Sequence, residues 1–167
     1  MREQGFTFIE LMVVMILISL SIFLVTPSLS RLSKSVELQG VVKKISGILR
    51  YCRSEAVNKG EVYQVLFDSN LREVRVQLME STEEKREGER KEGKTLKMAY
   101  TLPTGIQWKE FNAPPPEYPS EFPLIEFYPN GGSNGGSILL DSQDDKGYKI
   151  KVHFITGAVK VERAEEG

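Results

Sequence analysis

One apolar run near the N-terminus constrains this chain more than any other feature. It extends from Phe6 to Val25, follows the polar leader MREQG and contains one acidic residue, Glu10. A helix of these 20 residues is about 30 Å long, which matches the hydrocarbon core of a bilayer. Its 14 Phe, Ile, Leu and Val residues favour insertion by roughly 4–8 kcal/mol, whereas a central acid costs about 3 kcal/mol. The run therefore predicts a transmembrane helix over 6–27 that inserts despite Glu10.

Three interpretations of this N-terminus compete. A secretory signal peptide has an apolar region of about 7–15 residues, so this run is too long, although Ser28-Leu29-Ser30 offers a small-x-small cleavage site. A plain signal anchor explains the length but leaves Glu10 and the abrupt Gly5/Phe6 junction without a reason. An acid inside an apolar helix is by default a functional group that needs a cation.

The third interpretation is a resemblance. The string G-F-T-F-I-E-L, with Gly5 closing a short charged leader, resembles the class III leader of type IV pilins and type II secretion pseudopilins. The resemblance implies that a prepilin peptidase cuts after Gly5 and that the new N-terminal residue, Phe6, is N-methylated. It further implies that Glu10 pairs with the N-terminal amine of a neighbouring subunit during assembly. A carboxylate that only reaches back to the lipid headgroups is the alternative role for Glu10.

Location and partners follow from the same resemblance. It implies a single-pass protein of the bacterial inner membrane, with its N-terminus in the cytoplasm and its C-terminal domain in the periplasm. The implied partners are other pilins or pseudopilins, which bind through the N-terminal helix, the prepilin peptidase, and an inner-membrane assembly platform.

The helix is predicted to continue beyond the membrane as an amphipathic half over 28–60. Apolar residues recur there at three- and four-residue spacing, which is typical of one buried helix face. Gly60 suits a left-handed C-terminal cap. The predicted face consists of Leu29, Leu32, Val36, Val42, Ile45, Leu49, Cys52 and Ala56.

Residues 61–167 predict an antiparallel β domain, large enough for one core and too small for two. Asp68-Ser69-Asn70 reads as a hairpin turn, and glycine-containing turns separate the later strands. The predicted strands are Val62–Phe67, Leu71–Leu78, Thr95–Leu102, Ile106–Phe111, Leu124–Tyr128, Ser137–Asp141, Tyr148–Phe154 and Ala158–Arg163. Within the domain, 80–94 reads as a charged solvated loop. The Pro-rich segment 113–123 reads as a rigid connector, with a docking ligand as the alternative.

A second resemblance narrows the family. The sequence Arg53-Ser54-Glu55-Ala56-Val57 at the end of the long helix is similar to the pattern of H-type (GspH) minor pseudopilins and of the FimT and FimU minor pilins. The closing strands and their glycine turns resemble the same group, in Ile125–Gly131 with Gly135-Gly136, in Tyr148–Val152 and in Thr156–Val159. The implied fold class is α+β and pilin-like, with a long N-terminal helix packed on a C-terminal antiparallel sheet domain.

Catalytic and cofactor functions find little support in the sequence. The single histidine, His153, lies in a predicted strand and is interpreted as a partly buried structural residue. Asp141, Asp144 and Asp145 could supply oxygen ligands to calcium, but a solvated acidic turn is favoured, so neither a metal nor a cofactor is predicted. Cys52 is the only cysteine, which excludes an intrachain disulfide and suits a small core residue. The chain is predicted not to be an enzyme.

Two functions remain. The first is a minor pseudopilin, a structural subunit of the periplasmic pseudopilus of type II secretion. The second is a FimT- or FimU-like minor pilin in pilus assembly or DNA uptake. DNA capture would need a basic surface, often near the C-terminus, whereas residues 160–167 are net acidic and the whole chain has 22 basic and 23 acidic residues. The sequence therefore favours the first function and makes nucleic acid an improbable partner.

Overall fold

In the described residues, the fold consists of one long helix and a β domain. The computed structural model describes residues 7–79, 94–118, 120–142 and 145–164; for residues 23–34, 94–97, 145 and 146 it describes the backbone alone. Helix α1 spans Phe8–Lys59, which corresponds to about 78 Å at about 1.5 Å per residue. It ends as predicted at Gly60, whose φ of 70° is left-handed and whose N–H donates to the Ala56 carbonyl.

Eight strands form in the described residues, each overlapping a predicted one. Their bounds are β1 Val62–Asp68, β2 Glu73–Met79, β3 Lys94–Thr101, β4 Ile106–Asn112, β5 Leu124–Phe127, β6 Gly136–Ser142, β7 Asp145–Val152 and β8 Val159–Arg163. Two antiparallel four-stranded sheets result, with strand orders β3-β2-β1-β5 for the first sheet and β4-β6-β7-β8 for the second sheet. The predicted sheet domain is thus divided in two.

Aromatic side chains, rather than backbone hydrogen bonds, join the two sheets on one side. The Phe67 ring of β1 meets the Trp108 ring of β4 edge-on with 5.6 Å between centroids, and it lies 5.4 Å from the Phe111 ring. Such aromatic pairs contribute roughly 0.5–1.5 kcal/mol beyond their buried area. The Pro-rich segment 113–123 connects β4 of the second sheet to β5 of the first.

The C-terminal half of α1 packs on both sheets. It contacts β1 and β5 of the first sheet and β6, β7 and β8 of the second. The predicted apolar face is confirmed from Val42 onward, but Val36 is 68% exposed, which makes that part of the prediction wrong. The side chains of Leu29 and Leu32, which the prediction also includes, lie outside the described ones. Among the described side chains of the helix, Leu38 is the first to be buried, so the sheets cover α1 only from there. The buried helix residues are Leu38, Val41, Val42, Ile45, Ile48, Leu49, Cys52 and Ala56, with Ser46 among them.

Cys52 is a core residue, as predicted. It is fully buried against the sheets and free of any disulfide. Burial, and after it the nearby Glu55 carboxylate, raises the pKa of the Cys52 thiol from 9.0 to about 12. The thiol is therefore neutral at physiological pH and acts as a small apolar side chain.

Of the turn and loop predictions, the hairpin turn is confirmed and the charged loop is almost wholly outside the described residues. The hairpin at Asp68-Ser69-Asn70 is confirmed, because the Asp68 carboxylate accepts the N–H groups of Asn70 and Leu71 and β1 pairs with β2. Nearly all of the charged loop 80–94 lies outside the described residues, which resume with Lys94 in β3.

Candidate assembly site

The start of α1 is set by a side-chain cap. Gly5 and Phe6, the predicted processing residues, lie outside the described residues. Thr7 is the N-cap, with extended φ and ψ of −85° and 150°, and its hydroxyl accepts the Glu10 N–H at 3.3 Å. Thr7 and Glu10 thus hold the first and last positions of a capping-box sequence, T-x-x-E. The helix therefore begins two residues after Phe6.

Glu10 is exposed in the isolated chain. Its backbone N–H makes the bond to Thr7, while its carboxylate has no ion pair with any residue that the structure describes. An anionic side chain in the first helical turn is favoured by the helix dipole, typically by about 0.3–1 kcal/mol. Its carboxylate is therefore free, as far as the described part of the chain is concerned, to meet a cation on another molecule.

An apolar surface surrounds Glu10. The side chains of the first helical turns are mostly about half exposed or more. Ser19 and Ser21, which interrupt this surface, donate their hydroxyls to the carbonyls of Met15 and Leu17, both at 2.8 Å. The exposed apolar residues are Phe8, Ile9, Leu11, Met12, Val13, Val14, Met15, Ile16, Leu17, Ile18, Leu20 and Ile22. So much exposed apolar surface is typical of a membrane or protein contact.

The predicted transmembrane span is not confirmed. Within the described residues, no helix combines the length and the hydropathy that a membrane crossing requires.

Two motifs far apart in sequence meet at the end of α1. The Arg53 guanidinium donates its Nε–H to the Gly131 carbonyl at 3.3 Å. Gly157, with a φ of 59°, lies so close that a Cβ there would be 2.6 Å from the Gly131 carbonyl oxygen and 3.1 Å from the Arg53 side chain. Arg53 thus ties the helix to the two glycine turns, and any side chain at 157 would clash with backbone.

Sequence reasoning missed a buried carboxylate, Glu126, in β5. Its side chain is fully buried. It accepts hydrogen bonds from the Gln64 amide at 2.8 Å and from the Tyr128 hydroxyl at 3.0 Å. It also accepts the backbone N–H groups of Glu117 at 2.7 Å and Tyr118 at 3.1 Å. We name these five residues the Glu126 cluster.

The Glu126 cluster fixes the Pro-rich segment to the first sheet. The Gln64 amide also donates to the Tyr118 carbonyl at 3.0 Å, so polar groups of 117–118 are satisfied from both strands. The one signal in the sequence was an acid inside the otherwise apolar strand Leu124-Ile125-Glu126-Phe127. Its partners come from residues 64, 117 and 118, which spacing along the chain does not bring together.

Tyr128 is linked to this carboxylate electrostatically. Burial, and next the hydrogen bond to Glu126, raises the pKa of the Tyr128 hydroxyl above its ordinary value of 10.0. A raised pKa means that the fold favours the neutral phenol. This contribution to stability is therefore complete below about pH 10 and is lost as the pH rises further.

Two other candidate residues have been placed by the structure. His153 is exposed and follows the end of β7, so the prediction of a partly buried strand residue is wrong; the strand ends one residue earlier. Asp141 forms an ion pair with Lys109, 3.3 Å from Nζ to Oδ2. Asp144 lies outside the described residues, and the Asp145 side chain is not described. Within the described residues, no cluster of His, Cys, Asp or Glu is suited to hold a metal ion.

Comparisons with known proteins were made by sequence and by fold. Residues 1–26 match the family model of the prokaryotic N-terminal methylation motif, which is typical of prepilin-like, membrane-anchored proteins. No curated protein sequence matches the chain significantly.

Solved structures match the fold. One structure of the minor pseudopilin EpsH from the type 2 secretion system of Vibrio cholerae has a TM-score of 0.56 and 15% identity, with 76% of this chain and 97% of that chain covered. A second EpsH structure has a TM-score of 0.57 and 14% identity, covering 78% and 96%. The type IV minor pilin FimU of Pseudomonas aeruginosa has a TM-score of 0.56 and 15% identity, covering 78% and 91%. The predicted pilin-like α+β fold is therefore confirmed.

Proposed function

We propose that this chain is a minor pseudopilin, a non-enzymatic structural subunit of the periplasmic pseudopilus of type II secretion. The observation that carries the proposal is the combination of a methylation motif over 1–26 with a fold shared with EpsH. The exposed apolar start of α1 supports it further, because such a surface needs lipid or neighbouring helices to cover it. In the proposed role, the chain is a single-pass protein of the bacterial inner membrane with its β domain in the periplasm.

The proposed assembly mechanism uses both halves of α1. Its N-terminal half packs with the helices of neighbouring subunits, while its C-terminal half holds the β domain through the face that begins at Leu38. Cleavage after Gly5 would free the Phe6 amine, and Glu10 of one subunit would pair with the amine of the next. In an apolar environment, each charge alone is costly, so the pair defines one axial register. The prepilin peptidase and an assembly platform in the inner membrane are the partners that these steps require.

Substituting alanine for Gly5 is expected to abolish leader removal, because the peptidase acts at this residue in the proposed role. The intact mass of the protein purified from membranes measures processing directly. Gly40→Ala is a matched control, since a Cβ at Gly40 meets nothing within 4 Å and the position lies in α1. The control should yield a chain that begins at Phe6. A mature chain beginning at Phe6 in Gly5→Ala would contradict the processing proposal.

A FimU-like minor pilin, acting in pilus assembly or DNA uptake, is the second candidate. The equal likeness to FimU and EpsH favours keeping it. Deleting the gene separates the two functions: loss of protein secretion with normal piliation supports the pseudopilin. Retention of labelled DNA by the purified full chain in detergent, lost as salt is raised, would support the second candidate instead.

A further inference from the structure

An open groove of about 660 Å³ lies on the face of the second sheet that points away from α1. Lys149 and Lys151 project there because they alternate along β7 with the buried Ile150. Lys160 of β8 projects to the same face, and the turn after β7, with Phe154 and Thr156, forms one wall. The groove therefore combines a basic floor with an aromatic wall.

Two of these lysines lie where their charges destabilise the second sheet. Lys151 and Lys160 are direct partners in the β7–β8 ladder, and like charges opposite each other destabilise a sheet. Glu162 relieves part of this repulsion, with its carboxylate 2.5 Å from the Lys151 ammonium and 3.1 Å from that of Lys160. Two ammonium groups thus already converge on one carboxylate. Lys149 lies opposite the same Glu162 in the β7–β8 ladder, but the ion pairs that Glu162 forms among the described residues are with Lys151 and Lys160.

Apolar exposure at the wall adds a second kind of contact. Phe154 is 66% exposed and Ile155 is 71% exposed, side by side at the tip of the β7–β8 turn. Adjacent side chains this exposed are typical of a contact surface. A ligand that carries both carboxylates and apolar side chains would match both features of the groove.

We infer that this groove docks an extended acidic segment of a protein partner, with its carboxylates on Lys149, Lys151 and Lys160 and its apolar side chains on Phe154. The three lysines and Glu162 together carry a net charge of +2. A protein that makes about 6–10 phosphate contacts neutralises far more charge than this, so a peptide fits the groove better. The inference depends on neither Glu10 nor the exposed apolar start of α1, so its failure would leave the proposed function unaffected.

Fluorescence anisotropy tests the inference with the full chain in a non-ionic detergent. The probe is a short labelled peptide in which glutamates alternate with leucines, and its control has glutamines in place of the glutamates. We expect Lys149→Glu to weaken binding of the acidic peptide by about tenfold or more, and Phe154→Ala by roughly fivefold. Lys44→Glu is the matched control, because Lys44 is an exposed lysine of α1 outside the groove, and it should bind like the wild type.

Lys160→Thr separates a binding role from a structural one. Removing the like-charge pair and introducing a β-branched residue should raise the melting temperature by about 1–3 °C, while peptide binding weakens by roughly threefold to tenfold. Equal binding of the glutamine peptide would overturn the inference. Unchanged binding of the acidic peptide to Lys149→Glu would also overturn it. So would a single-stranded oligonucleotide that binds the wild type more tightly than the acidic peptide does and no longer binds Lys149→Glu.

Discussion

Glu126→Ala is expected to lower the free energy of unfolding by roughly 3–5 kcal/mol, because it leaves one buried and three partly buried hydrogen bonds without their acceptor. The carboxylate accepts four hydrogen bonds, two from side chains and two from backbone N–H groups of the Pro-rich segment. Each donor left unpaired costs about 1–3 kcal/mol, and water entering the gap offsets part of the sum. Because small domains are stable by about 5–15 kcal/mol, the loss would be a large share of the total.

Urea unfolding of the full chain in detergent, followed by Trp108 fluorescence, measures this loss. Trp108 is a suitable reporter because it packs on Phe67 between the two sheets. Glu121→Ala is the matched control: it removes an exposed carboxylate from the same segment and should change stability by less than about 0.5 kcal/mol. An equally small change in Glu126→Ala would contradict the anchoring role of the cluster.

The parts of the fold that the sequence predicted well depend on local patterns. Gly60 marks the helix end because a left-handed cap suits glycine, and Asp68 marks the hairpin because its carboxylate caps the turn. The helix face was predicted too long, since periodicity shows which side of α1 is apolar but not where the sheets begin to cover it. Val36 belongs to the apolar stripe and is nevertheless exposed.

The parts that the sequence missed depend on contacts between distant residues. Nothing local indicates that Gln64 and the Pro-rich segment meet at Glu126, or that Arg53 reaches Gly131. The division into two sheets has the same origin, because it depends on which strands share hydrogen bonds and which meet through Phe67. The basic groove around Lys149 and Lys160 was missed for a related reason. A charge count along the chain shows only that the C-terminal residues are net acidic. The lysines share one face only because of strand alternation and the pairing of β7 with β8.

Of the candidate assembly site, the sequence indicated the identity of the residues but not their local geometry. The leader pointed to Gly5, Phe6 and Glu10, and these roles stay predictions. Structure adds that Thr7 caps α1 through the Glu10 N–H, so the first turn is held by the backbone of Glu10 and not by its carboxylate. This distinction makes the carboxylate testable separately from the helix.

Glu10→Gln is expected to leave the chain inserted and processed while reducing its assembly by roughly 100-fold or more. The substitution keeps the shape of the side chain and the N–H that Thr7 accepts, so the helix should begin at the same residue. It removes the charge that would pair with the Phe6 amine of a neighbour. Leaving one member of a buried ion pair unpaired costs about 3–5 kcal/mol, whereas the lost interaction with the helix dipole is worth only about 0.3–1 kcal/mol.

The fraction of the chain recovered in sheared filaments, relative to the membrane fraction, measures assembly. Glu37→Gln is the control, since Glu37 is an exposed acid of the same helix, beyond the apolar run, and should assemble normally. If the carboxylate only stabilises the helix start, assembly should fall by a few-fold at most, because its interaction with the helix dipole is worth only about 0.3–1 kcal/mol. Assembly of Glu10→Gln within that range would exclude pairing with the amine, whereas a loss of two orders of magnitude requires the second charge of a neighbouring subunit.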